Sequence, residues 1–139
     1  MSGYLIDTNI ISELRRPKRS IHVVNWFGSV EVETLYLSVL TLGELRRGVE
    51  LLRLRDKKAA SALDRWLAGV RSEFADRILA VDDAVSEQWG RLSIGQPLPS
   101  IDGLLAATAL VHQLTVVTRN TADFERSGVA CLNPFEFQE

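Results

Sequence analysis

Apolar residues recur along this chain in two rhythms. Short unbroken runs, the mark of strands buried on both faces, alternate with stretches in which they return every three or four positions, the mark of helices packed on one side. Residues 2–7 predict a first strand through Leu5 and Ile6 that ends in an acid. Thr8 or Asn9 is placed to cap a helix from Ile10 to about Arg15, with Pro17 in the connection. Val23, Val24, Trp26, Phe27 and Val30 form a helical stripe over 21–30. Residues 34–39 predict the second strand, and Thr41-Leu42-Gly43-Glu44 opens a helix through Leu45, Val49 and Leu52. Leu63, Trp66, Leu67, Val70 and Phe74 share one face of a helix over about 59–74. A strand at 77–81 follows, then a helix capped by Asp82 or Asp83 that carries Val85, Trp89 and Leu92. The loop 95–99 breaks it. Ser100 caps a helix over 101–112 that is apolar nearly all round and so belongs in the interior. Residues 115–118 form a strand, 119–123 a polar turn, and 129–132 a last strand before the tail.

Strands and helices thus alternate from end to end. That order predicts an α/β fold of three layers, a central parallel sheet of four to five strands with helices on both faces. No repeat or linker divides the 139 residues, so they are read as one domain over 1–139.

Charge and composition remove some functions. Cys131 is the only cysteine, so an internal disulfide is excluded and a reducing, cytoplasmic setting is expected. No apolar run approaches membrane-spanning length, and the first residues show no secretory leader. A net charge of -2 argues against a protein that coats nucleic acid by charge alone. It leaves room for an enzyme with a local basic rim. Arg46, Arg47, Arg53, Arg55, Lys57 and Lys58 supply such a stretch.

The candidate chemistry lies in four acids. Asp7 ends the first strand, and Glu44 lies at the start of the helix after the second. Asp102 lies at the start of the buried helix, and Asp123 follows the turn after the 115–118 strand. Strand ends and the helix starts that follow them share one edge of a parallel sheet, where ligands bind. Each acid has a plainer explanation. Asp7 suits an N-cap. Thr41 and Glu44 match a capping box. Asp102 suits a helix dipole, and Asp123 a solvated turn. Together they suit a hard divalent cation, which takes oxygen ligands and relieves carboxylate repulsion. His22, His112 and Cys131 do not make a zinc set.

The blocks Leu5-Ile6-Asp7-Thr8-Asn9, residues 37–48, residues 102–109 and residues 118–124 resemble PIN-domain nucleases. More narrowly they resemble the VapC toxins of type II toxin–antitoxin pairs, of the FitB-like kind. The resemblance implies a PIN-like fold and a toxin that is a Mg²⁺- or Mn²⁺-dependent endoribonuclease. It implies Asp7, Glu44, Asp102 and Asp123 as catalytic metal-binding acids. Thr8 and Asn9 would support the first, and Thr118 and Asn120 the last. The final site residue is either Asn120 or Asp123, since some relatives carry their acid near Asn120. Arg46, Arg47 and Arg119, with Arg15 and Arg16, flank the acids and are candidate RNA contacts. The implied partners are an RNA substrate, a second copy of the chain, and a VapB- or FitA-like antitoxin that reaches operator DNA. Two other functions fit the same residues: a PIN nuclease of RNA processing, and a FitB-like subunit that binds its partner with little nuclease activity. A phosphoacceptor receiver domain fits poorly, because Asp7 has no acidic neighbour and Arg119 stands where a lysine is needed.

Overall fold

A computed structural model describes residues 3–92, 94–95 and 97–139. Ser2 of the expected first strand and Gln96 of the expected loop lie outside them. The strands are β1 (Tyr4–Ile6), β2 (Leu35–Ser38), β3 (Ile78–Leu79), β4 (Thr115–Val117) and β5 (Cys131–Leu132). The helices are α1 (Thr8–Leu14), α2 (Ile21–Ser29), α3 (Val39–Arg53), α4 (Lys57–Glu73), α5 (Asp83–Arg91), α6 (Ser100–His112) and α7 (Thr121–Glu125). Short 3-10 turns occupy Val32–Thr34 and Pro134–Glu136.

The five strands form one parallel sheet in the order β3-β2-β1-β4-β5. Strand alternation separates two cores. Ile6, Leu35, Leu37 and Val117 face one way and pack with Ile10, Ile11, Val23, Trp26, Leu42, Val49 and Leu67 from α1 to α4. Leu5 and Val116 face the other way and pack with Leu105, Ala106, Ala109 and Phe124 from α6 and α7. The expected three layers are therefore present, and α6 is buried along most of its length.

Several boundaries differ from the sequence reading, for local reasons. Asp7, rather than Thr8 or Asn9, caps α1, its Oδ1 accepting the Thr8 N–H at 2.8 Å. Ser38 caps α3, its hydroxyl accepting the Leu40 N–H at 3.0 Å. Thr41 consequently lies inside the helix, so no capping box forms with Glu44. Pro99 stands at the cap position of α6, and Ser100 is its first helical residue. Asp82, one of the two candidates, caps α5. The stretch read as a polar turn contains α7, a helix with the single buried anchor Phe124.

Thr41 is fully buried, and its hydroxyl has no hydrogen-bond partner among the described residues. A buried unsatisfied hydroxyl is a cost that an isosteric methyl removes. Thr41→Val is therefore expected to raise unfolding stability by about 1 kcal/mol, measured by urea titration. A loss of stability would show that something satisfies this hydroxyl in solution.

Candidate active site

The sheet's order reverses beside β1. The chain moves outward through β2 and β3, then crosses back to β4 on the other side of β1. The carboxyl ends of β1 and β4 form the switch point of the sheet, where connections diverge. Asp7 follows β1 and Thr118 follows β4.

Asp7 is only 7% exposed and uses both carboxylate oxygens. Oδ1 caps α1. Oδ2 accepts the Thr118 hydroxyl at 2.8 Å and the Asn9 amide at 3.4 Å. Thr118, itself fully buried, also accepts the Asn120 N–H at 3.0 Å through the same hydroxyl oxygen. That hydroxyl thus orients Asp7 and shapes the turn after β4. Asn9 Oδ1 accepts the Arg119 N–H at 3.4 Å, a second tie between the segments that follow β1 and β4.

Glu44 lies in the second turn of α3, not the first as its sequence position suggested, because the helix begins at Val39. It turns to α1 instead of back to Thr41. The Thr8 hydroxyl donates to Glu44 Oε1 at 2.5 Å. Asp102 lies in the first turn of α6, half-buried, without a side-chain hydrogen bond among the described residues. Asp123 is exposed on α7 and lies 3.9 Å from Arg126.

The electrostatics link all four. Burial is the main force raising the Asp7 carboxyl above the ordinary carboxylate range. The Thr118 and Thr8 hydrogen bonds oppose it, and the charges of Asp102 and Glu44 add to it. Asp102 is raised first by burial, then by Asp123 and by Glu44. The charges of Asp102 and Glu44 thus bear on Asp7, and those of Asp123 and Glu44 on Asp102. The fold does not draw the four acids into a finished cage: among the described residues no three acidic, histidine or cysteine side chains are clustered closely enough to hold a metal. The donor set is all oxygen and under repulsion, which fits a hard divalent cation.

The basic residues divide. Arg46 is engaged at the surface by its own chain, bridging Asp64 at 3.0 Å and Glu50 at 3.2 Å, with Arg53 completing the group. Arg16 pairs with the buried Glu13, which also accepts the Ser20 N–H. Arg15 and Arg47 are exposed. Arg119 lies over the Phe135 ring, 4.1 Å from its centre. Phe135 lies in the tail after β5, and nothing in the sequence marks its contact with Arg119.

The PIN-domain family model matches residues 4–129. The chain belongs to the PIN-domain family. This PIN domain is 40% identical over 136 residues to Toxin FitB of Neisseria gonorrhoeae, covering 94% of this chain and 97% of that protein. It is 34% identical over 137 residues to VapC ribonuclease Y4jK of Sinorhizobium fredii, covering 95% and 97%. It superposes with a TM-score of 0.89 on a chain of the structure of FitAB bound to an IR36 DNA fragment, at 36% identity and 98% coverage of each. The motif resemblance and the expected α/β fold are thereby borne out, and the chain belongs to the FitB and VapC branch of PIN-domain toxins. No helix of this PIN domain is, among the described residues, long and apolar enough to cross a membrane.

Proposed function

We propose that the chain, as one PIN domain over residues 1–139, is the toxin half of a toxin–antitoxin pair and an endoribonuclease dependent on Mg²⁺ or Mn²⁺, acting in the cytoplasm. The observation that carries this reading is the placement of Asp7 at the carboxyl end of β1, where burial first, and then the charges of Asp102 and Glu44, raise its carboxyl, and where Asp102 is raised by burial and then by Asp123 and Glu44.

Asp7, Glu44 and Asp102 would hold the cation, with Asp123 or Asn120 completing the site. The chemistry such a cation supplies when bound is charge against phosphodiester oxygens and an acidified water. Thr118 and the Thr8 N–H keep Asp7 aimed and ionisable by stabilising its charged form. The Thr8 hydroxyl orients Glu44. Asp102 and Asp123 are less restrained and can swing toward the charge they bind. Arg47 and Arg119 stand exposed as candidate RNA contacts, whereas Arg46 is already engaged by Asp64 and Glu50.

The partner reading follows the same chemistry. A groove of about 330 Å³ between α1 and α4 is lined by Ile11, Leu14, Trp66, Val70 and Phe74. It suits an antitoxin segment with an apolar face, whose cationic side chain could neutralise the acids. The assembly proposed is a homodimer of this chain bound to its antitoxin, with operator DNA held through the antitoxin.

The test is regulated expression of the wild type and of Asp7→Asn, with growth and cellular RNA ends followed together. Arrest with new RNA ends from the wild type alone supports the proposal. Equal arrest from both, without new ends, would make the acidic edge a partner site and not a catalytic one.

A further inference from the structure

Among the rim cations, Arg119 is held in a way the others are not. It directly follows Thr118, the residue whose hydroxyl grips Asp7. Its backbone N–H is tied to Asn9, whose side-chain amide also meets Asp7. Its guanidinium carbon lies 4.1 Å above the centre of the Phe135 ring. The residue is exposed, and its side chain makes no ion pair or hydrogen bond among the described residues. The ring beneath it is itself fixed. Asn133 Oδ1 accepts the Phe135 N–H at 3.0 Å, Pro134 is buried, and the Phe137 carbonyl lies 3.0 Å from His22 Nδ1 on α2. The tail is thus anchored to the body on both sides of the ring.

A guanidinium stacked on an aromatic face is restrained in plane while its N–H edges stay free. Those edges match phosphate oxygens, and no carboxylate among the described residues takes them. The need is electrostatic. A polyanion entering an edge of four carboxylates is repelled unless cations on the rim offset its charge. From this we propose that Arg119, braced by Phe135, is a positioning residue that holds a backbone phosphate of single-stranded RNA next to the scissile position. The proposal rests on the nuclease reading above and adds the residue pair that sets the strand's register.

The test measures binding of a fluorescent unstructured oligoribonucleotide by anisotropy across a salt series, with every chain carrying Asp102→Asn to keep the RNA intact. Arg119→Gln is expected to weaken binding about 10-fold. It should also reduce the slope of log affinity against log salt by about 0.7, the loss of one phosphate contact on a single strand. Phe135→Leu keeps the charge and an apolar anchor. It should weaken binding about 3-fold with the slope intact, consistent with a lost cation–π brace. Thermal midpoints of both variants check that folding is unchanged; if Phe135→Leu melts early, Phe135→Tyr, which retains the ring, should bind as the parent does. Unaltered affinity and slope in Arg119→Gln, with the parent binding RNA, would overturn this proposal alone. No RNA binding by the parent and no cleavage by the wild type would overturn the nuclease reading and this one with it.

Discussion

Asp102→Asn is expected to lose RNA cleavage by more than about 100-fold, since even residues that only support a metal ligand cost 10–100-fold. The same change should make the metal-free protein more stable at neutral pH. The stability effect is electrostatic. The Asp102 carboxyl titrates above its ordinary range because of burial and because Asp123 and Glu44 lie near it. The folded chain therefore keeps that proton at pH values where the unfolded chain has released it. Stability contributed this way is complete below the unfolded value, near 3.9. It is lost as pH rises through the raised folded value. Asp7 is raised too and contributes with the same sign. Glu50 and Asp64, lowered by Arg53 and Arg46, contribute with the opposite sign, so the absolute pH profile mixes the two. The difference between wild type and variant reports Asp102 together with the part of the Asp7 shift that its charge causes. In EDTA the melting point of Asp102→Asn should exceed that of the wild type at pH 8 and match it more closely at pH 4. Added Mg²⁺ should raise the wild type and raise the variant less, because binding to the folded state alone is what stabilises. A variant that melts no higher than the wild type at pH 8 would show that the carboxylates do not strain the fold.

Thr118→Val is expected to reduce cleavage or cation affinity by about 10–100-fold and to destabilise the fold by about 1–3 kcal/mol. The valine retains the shape and removes two hydrogen bonds. Asp7 Oδ2 loses its 2.8 Å donor and the Asn120 N–H loses its acceptor. The bond from Thr118 is the largest influence holding the Asp7 carboxyl down, so that carboxyl should move still higher and resist ionisation. Thr118→Ser restores both bonds and should recover most of the activity. Calorimetric titration with Mg²⁺, run beside the cleavage assay, distinguishes a weakened cation site from a misplaced substrate. Equal behaviour of the valine and serine variants would leave Thr118 as a packing residue only.

The alternation of strands and helices was legible because the buried runs are so uniform. Leu5-Ile6 and Val116-Val117 can go only into a sheet covered on both faces, and α6 only into the interior. Boundaries were less legible where two residues of equal capping ability stand close together. Ser38 and Thr41 both suit an N-cap, and the strand's end decides between them, since Ser38 is the last residue of β2. That single choice removes the capping box and frees Glu44 to meet Thr8. For Asp7 the sequence offered a helix cap or a site residue as alternatives. The structure assigns one carboxylate oxygen to the cap and the other to Thr118. α7 escaped notice because Phe124 alone marks its buried side. The engagement of Arg46 with Asp64 was out of reach as well, because the pair forms between neighbouring helices and leaves no local pattern.

α1 has one further consequence. It is seven residues long, which spans about 10 Å, and its two ends belong to different surfaces. Asp7 caps its start, while Ile11 and Leu14 line the apolar groove farther along. A strand-like segment lying beside Leu14 therefore needs only about three extended residues to bring a positive side chain to Asp7. The groove and the acid are thus separated by two turns of one helix. On the antitoxin reading proposed above, one short peptide would serve this protein as both handle and plug.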